Sequence, residues 1–166
     1  NVYTEYHSIL TENELNNNIN NSSKDLVITN YFKQNHNEIV IILAGSVKDE
    51  PHVNKIIKHC DQLNIYTINY YSSAHKNTRD VLSILGKYEK QKRKIVYVTV
   101  AGRSNALSGV VASNTRFPTI ACPPFKDNTD LQLNINSTLI CPSKVPVMTI
   151  LEPENVAISI KKIFNI

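Results

Sequence analysis

Three short segments of this chain place hydroxyl, cationic, carboxylate and imidazole side chains among small residues, each directly after an apolar run. In the first, Gly45-Ser46-Val47-Lys48-Asp49, a glycine turn leads into a hydroxyl, a cation and a carboxylate. If that loop opens a helix, its free N–H groups and positive potential suit a phosphate, and the carboxylate suits ribose hydroxyls. Ser46 and Asp49 also suit plain helix capping. The second segment, Ser72-Ser73-Ala74-His75-Lys76-Asn77-Thr78, brings an imidazole beside an ammonium and several hydroxyls. Histidine changes protonation near neutral pH and so can serve as general acid or base, although a lone loop histidine is commonly only solvated or capping.

The third segment, Ala101-Gly102-Arg103-Ser104-Asn105-Ala106-Leu107-Ser108-Gly109, leaves a strand and enters a helix rich in small residues. Small side chains let backbone approach a ligand closely, and Arg103 can orient an anion or a neighbouring loop. Neither a G-x-G-x-x-G fingerprint nor a G-x-x-x-x-G-K-[ST] loop is present, which disfavours dinucleotides and nucleoside triphosphates. Three loops of similar chemistry point together to a small phosphorylated ligand.

Such loops need a scaffold that brings them to one edge. From Ile39 onward, short apolar runs alternate with amphipathic stretches, the pattern of repeated β-α units and a parallel sheet. The runs 39–44, 65–70, 95–100, 119–122 and 145–150 are predicted as strands. Being apolar at consecutive positions, they suit strands covered by helices on both faces, a three-layer αβα sandwich. Val53, Ile56, Ile57 and Cys60 repeat at helical spacing, as do Val81, Leu82, Leu85 and Tyr88. A last helix starts at Pro153 and carries Val156, Ile160 and Phe164 on one side. In a doubly wound sheet, ligands bind at the carboxyl ends of the strands near a switch in strand order.

Residues 1–38 differ, with Asn16, Asn17, Asn18, Asn20 and Asn21 in a polar stretch that offers little to bury. They are expected to form an Asn-rich linker or N-terminal extension, with a short helix or strand between Lys24 and Lys33. Residues 39–166 form the expected catalytic domain.

The whole chain, 166 residues with 42% hydrophobic and 19% charged, fits one globular domain with a full core. Its net charge of +4 comes from scattered rather than clustered cations, which fits phosphorylated small molecules better than nucleic acid. Cys60, Cys122 and Cys141 lack C-x-x-C spacing and nearby histidines at metal-ligand distance, so neither a disulfide framework nor a metal site is expected. No run approaches a membrane span and no signal-peptide pattern opens the chain, so a reduced cytoplasmic setting is the expectation.

Taken in order, Gly45-Ser46-x-x-Asp49, Ser73-Ala74-His75-Lys76, Ala101-Gly102-Arg103-Ser104-Asn105 and Cys122-Pro123-Pro124 resemble the phosphoribosylaminoimidazole carboxylase (AIR carboxylase) family of purine biosynthesis. Pro142-Ser143 and the run from Pro146 to Ile150 continue the match. The resemblance implies a flavodoxin-like fold and reversible carboxylation of 5-aminoimidazole ribonucleotide with carbon dioxide. Metal, biotin and ATP are not needed, because the electron-rich imidazole carbon itself attacks carbon dioxide. By resemblance, His75 moves the proton on that carbon, Ser46 and Lys76 hold the phosphate, and Asp49 holds the ribose. Ala74, Ala101, Gly102, Ser104 and Asn105 line the base and carbon dioxide pocket, Lys48, Ser73 and Leu107 complete the substrate-binding set, and Arg103 is structural.

Within the family, the resemblance favours the branch that uses carbon dioxide directly. The mutase branch usually carries Gly-Gly-Ala-Ala-His, whose histidine falls here at Ala106, and commonly has Arg in place of Lys76. Relatives also imply a homo-octamer with sites between subunits, and the carboxylase part of a bifunctional enzyme. Three positions depart from the family pattern: Lys48 replaces a serine, Lys144 a turn glycine, and Ile140 a frequent arginine. They raise a competing expectation, a catalytically degenerate nucleotide-binding homologue.

Overall fold

The computed structural model describes Tyr6–His7 and residues 36–166. A short strand, β1 (Tyr6–His7), precedes five βα-type strands: β2 (Glu38–Ala44), β3 (Thr67–Tyr71), β4 (Lys94–Val100), β5 (Thr119–Ala121) and β6 (Met148–Thr149). The helices are α1 (Glu50–Gln62), α2 (Thr78–Glu89), α3 (Ala106–Ser113), α4 (Asn128–Leu139) and α5 (Pro153–Phe164). The sheet order is β1-β3-β2-β4-β5-β6. β2 through β6 are mutually parallel, and β1 pairs antiparallel to β3 through Tyr6↔Asn69 and His7↔Ile68. The parallel part is the flavodoxin-like order, with its switch point where β2 lies between β3 and β4.

Strand β2 shows why the chain folds this way. Ile39 to Ala44 are all fully buried, and alternation sends them to opposite faces. Ile39, Ile41 and Leu43 join Val81, Leu85 and Tyr88 of α2 and Leu107 and Val111 of α3 in one core. Val40, Ile42 and Ala44 join Val53, Ile56 and Cys60 of α1 and Val156, Ile160 and Phe164 of α5 in the other. A strand buried on both sides needs apolar residues at every position, and this one has them. Truncating Ile41 to Ala would remove contacts in a site with no solvent route to collapse, at a cost of about 2–5 kcal/mol.

Several boundaries differ from the sequence expectation. Ile65 and Tyr66 precede β3 rather than start it, because the Ile65 N–H is taken by the Cys60 carbonyl at the end of α1. The run 145–150 yields only Met148–Thr149 as strand: Val145 N–H bonds back to Pro142 O in a turn, and Pro146 has no N–H to give. Leu82 is 41% exposed, and Ile84 takes the inward position instead. Lys144 has φ 68°, the left-handed conformation for which a glycine is usual. The segment Lys24–Lys33 lies outside the described residues.

Helix α4 has no counterpart in the sequence reading. Its residues, Asn-Thr-Asp-Leu-Gln-Leu-Asn-Ile-Asn-Ser-Thr-Leu, carry only a thin apolar stripe, Leu131, Ile135 and Leu139, and the two it fully buries are Asn134 and Thr138. Its start is nevertheless marked, because the Asp127 carboxylate accepts the Asp130 N–H at 2.9 Å. Among the described residues, no helix is long and apolar enough to cross a membrane.

Candidate active site

The carboxyl ends of β2, β3 and β4 release the three chemically marked loops side by side at the switch point. Gly45 turns the chain sharply out of β2, its N–H donating to the Val100 carbonyl at the end of β4. A Cβ on Gly45 would lie 3.3 Å from Ala101 Cβ, so the absence of a side chain lets the first and third loops touch. Ser46 then caps a single turn of 3-10 helix (Val47–Asp49), accepting the Lys48 N–H at 3.2 Å. This is the capping geometry the sequence allowed, and it leaves the Ser46 hydroxyl proton free for an anion.

The second loop is a compact turn. Ser73 Oγ accepts the Lys76 N–H at 3.3 Å, and Thr78 Oγ1 donates to the Ala74 carbonyl. Those bonds point the His75 side chain toward the third loop, where its Nε2 lies 3.4 Å from Ser104 Oγ.

A cleft of about 450 Å³ opens between these loops. Ser46, Lys48, Asp49, Ser73, Ala74, His75, Lys76, Ala101, Gly102, Ser104, Asn105 and Leu107 all line it, whereas Ser72, Asn77 and Thr78 of the second segment do not. Arg103 lines it as well. A second hollow, about 750 Å³, continues past Lys48, Asp49 and Ser104 to Phe125, Lys126 and Asn134. Cations therefore stand on both sides of the opening, at Lys48, Lys76 and Arg103, which gives an anionic ligand a favourable field.

Asp49 is partly buried at the joint between the two hollows. Burial pushes its carboxyl above the ordinary value, and the backbone interaction with Ser46 offsets part of the rise. A carboxylate that is poorly hydrated when empty gains from donors such as ribose hydroxyls.

Behind the loops, His52 on the first turn of α1 and Cys122 at the end of β5 form a second contact, Nε2 to Sγ 3.3 Å. Burial, followed by the nearby Lys55, holds the His52 imidazole below its usual value, while burial raises the Cys122 thiol to about 12. A neutral pair of this kind ties α1 to the Cys-Pro-Pro loop. The sequence reading did not include His52, which lies on a helix outside the marked loops.

Also missed were the contacts that α4 makes on the third loop. Asn134, Ser137 and Thr138 touch Arg103, Ser104 and Asn105 respectively. Among the described residues, no group of three His, Cys, Asp or Glu side chains could hold a metal ion.

Residues 39–166 match the family model described as AIR carboxylase. The chain is 41% identical over 133 residues to a phosphoribosylaminoimidazole carboxylase of Archaeoglobus fulgidus, covering 80% of this chain and 72% of that one. It is 39% identical over 126 residues to a bifunctional phosphoribosylaminoimidazole carboxylase/phosphoribosylaminoimidazole succinocarboxamide synthetase of Drosophila melanogaster, of which it spans only 29%. The crystal structure of Treponema denticola PurE superposes with a TM-score of 0.73 at 40% identity, covering 77% of this chain and 80% of that one. With β3 to β6 and all of β2 but Glu38 inside the matched span, and most of two relatives covered, this chain belongs to the AIR carboxylase family.

Proposed function

We propose that this protein carboxylates 5-aminoimidazole ribonucleotide at its ring carbon 4 with carbon dioxide, reversibly, in purine biosynthesis. The observation that carries the reading is the meeting of His75 with Ser104 across a cleft that also holds Ser46, Lys48, Asp49 and Lys76. A proton-transfer group thus faces small and hydroxyl residues, while groups suited to phosphate and ribose line the remaining wall.

The chemistry needs little beyond placement. The exocyclic amine pushes electron density to carbon 4, which attacks the carbon of carbon dioxide and forms the new C–C bond. One C–O π pair becomes carboxylate, and carbon 4 briefly carries both carboxylate and hydrogen. His75, in its neutral form, takes that proton; the C–H pair returns to the ring and aromaticity is restored. In reverse, the imidazolium of His75 protonates carbon 4 and carbon dioxide leaves. Ser46 and Lys76 are assigned to the phosphate, with Lys48 as a further cation, and Asp49 to the ribose. Ser73 shapes the turn, and Leu107 closes the floor. Ala74, Ala101, Gly102, Ser104 and Asn105 wall the base and carbon dioxide pocket, where small residues allow close approach.

Ala106 stands where the mutase branch carries histidine, so a second acid-base group is missing from that wall. We assign the direct carboxylase branch for that reason. Residues 39–166 are assigned as the catalytic domain and 1–38 as an extension, in a cytoplasmic setting. The assembly is assigned as a homo-octamer by family resemblance, a reading supported by the exposure of Leu133, Leu139 and Ile140. Light scattering of the purified protein tests it.

The deciding assay mixes protein, 5-aminoimidazole ribonucleotide and bicarbonate without ATP and follows product absorbance. Steady turnover is expected. With the N-carboxylated ribonucleotide and carbon dioxide continuously removed, little product should form; efficient conversion there would reassign the chain to the mutase branch. Nucleotide binding with no turnover would establish the degenerate homologue instead.

A further inference from the structure

We infer that α4 is the positioning element for the carbon dioxide and proton-transfer half of the site, with Asn134 as its principal residue, an inference that rests on the carboxylase reading above.

The loop that α4 touches has an unfavourable backbone. Arg103 has φ 54° and Asn105 φ 27°, both positive and both in residues with a Cβ. Such conformations persist only where the surroundings fix them. Here three consecutive residues are each fixed from one helix. The Arg103 N–H donates to Asn134 Oδ1 at 2.5 Å, the Ser137 hydroxyl donates to the Ser104 carbonyl at 2.6 Å, and the Asn105 amide Nδ2 donates to Thr138 Oγ1 at 2.9 Å. Positions 134, 137 and 138 are spaced i, i+3, i+4 and so share one helix face.

Asn134 does more than the other two. Its Nδ2 donates to the Pro124 carbonyl at 2.8 Å, so a single carboxamide ties the loop after β4 to the loop after β5. Gly102 lies directly against it: a Cβ there would sit 3.5 Å from Asn134 Nδ2. The burial pattern agrees. α4 turns Asn134 and Thr138 inward at 3% exposure each, while Leu133 and Leu139 stay more than half exposed. Leu131 and Ile135, the apolar residues flanking this face, are only partly buried, so apolar packing alone does not fix the orientation. Directional bonds to the loop account for the one observed.

The nucleotide-holding residues do not hang on α4. Lys48 N–H bonds Ser46 Oγ, Asp49 N–H bonds the Ser46 carbonyl, and Lys76 N–H bonds Ser73 Oγ, all within their own loops. Loss of the α4 contacts should therefore displace Gly102, Ser104 and Asn105 from the reacting carbon and from His75 while leaving the phosphate and ribose contacts, and with them most of the nucleotide affinity, in place.

The test compares the full chain with Asn134→Ala and Asn134→Asp, measuring kcat, KM, equilibrium affinity for 5-aminoimidazole ribonucleotide, and amide exchange at Arg103. Misplacement of reacting groups by an ångström can cost on the order of 100-fold in rate, so Asn134→Ala should lower kcat by about 10- to 100-fold. Nucleotide affinity should stay within about threefold, since uniform binding is untouched. Asn134→Asp keeps the acceptor for the Arg103 N–H and should recover part of the loss. Arg103 amide exchange should accelerate by about 10-fold or more in Asn134→Ala. Wild-type kcat in Asn134→Ala, or equal losses of kcat and affinity, overturns the inference. An inert wild type instead counts against the carboxylase reading, and Arg103 exchange then judges the clamp without turnover: unchanged exchange sinks it. Should Asn134→Ala fail to fold, Thr138→Val replaces it in both measurements, with Thr138→Ser expected to restore the wild-type result.

Discussion

His75 Nε2 and Ser104 Oγ face each other at 3.4 Å although they come from loops after different strands, β3 and β4. Those strands are not neighbours in the sheet; β2 lies between them. The gap at the switch point is therefore spanned by direct contact of an imidazole with a hydroxyl, and on the proposed reading the ring carbon approaches His75 from beside this pair or by displacing the Ser104 contact.

His75→Asn should lower kcat by about 100- to 10,000-fold, the usual contribution of a positioned acid-base group. Nucleotide affinity should be nearly unchanged. Parallel turnover and equilibrium-binding measurements check both halves, and near-normal turnover would remove His75 from its role.

Lys48 lies in the 3-10 turn that Ser46 caps, and both residues line the cleft. In the proposed role the contact of Lys48 with the nucleotide phosphate is ionic and so weakens as salt screens it. Lys48→Ser should keep activity, change nucleotide affinity modestly and flatten its dependence on salt, as read from titrations at low and high ionic strength. A silent wild type that Lys48→Ser awakens would show that the lysine blocks the pocket.

Asp49 carries a stability cost that its proposed ribose-binding role would offset. Because its folded pKa is raised, the native state holds the proton more tightly than the unfolded chain does. That contribution is complete below the unfolded value, is lost as pH rises through the folded one, and leaves the charged form unfavourable at neutral pH. Asp49→Asn should therefore raise the melting temperature of the ligand-free protein near neutral pH. Loss of hydrogen bonds to a charged acceptor should weaken nucleotide binding by about 10-fold or more. Calorimetric melting with and without nucleotide separates the two effects.

His52 has the opposite sign. Its folded pKa is depressed by burial and by Lys55, with Cys122 and Glu152 offsetting part of the effect. On acidification the unfolded chain takes up the proton first, so stability falls as pH drops below about 6.5, the unperturbed value. His52→Gln should flatten this part of the stability–pH curve, as followed by denaturant unfolding at a series of pH values. An unchanged slope would assign that acid sensitivity to other groups.

Alkylation should also distinguish the thiols. Cys60 and Cys122 are fully buried and pushed to about 12, whereas Cys141 is partly exposed. In the native protein at mildly alkaline pH, one thiol should react quickly and map to Cys141. All three should react in denaturant. Rapid modification of Cys122 under native conditions would show that the His52 contact opens readily.

Much of this was readable from residues alone, for a specific physical reason. Ile39 to Ala44 had to be a doubly covered strand because nothing polar interrupts it, and the three loops announced themselves because glycine, hydroxyl, histidine and lysine followed such strands. The helix over 128–139 was illegible because its main signal is not periodic hydrophobicity: Asn134 and Thr138 are buried where they make hydrogen bonds, while Leu133 and Leu139 stay more than half exposed. Met148–Thr149 was overestimated for a related reason, since an apolar run does not reveal how few partner residues β5 offers. His52 gave no sign of its contact with Cys122, seventy positions away, because only the folded chain brings them together.

The inward residues of α4 also set what kind of change this domain can absorb. Elsewhere the interior is forgiving of identity and demanding of volume, so that an isoleucine in β2 exchanged for leucine with repacking usually costs little. At 134 and 138 the rule reverses. An apolar residue of matching size is the harmful exchange, because it strands an amide of the loop without a partner, whereas a smaller polar residue that keeps the bond is the tolerant one. The sheet can drift freely among aliphatic side chains, while the wall around the reacting carbon stays bound to a particular chemical alphabet.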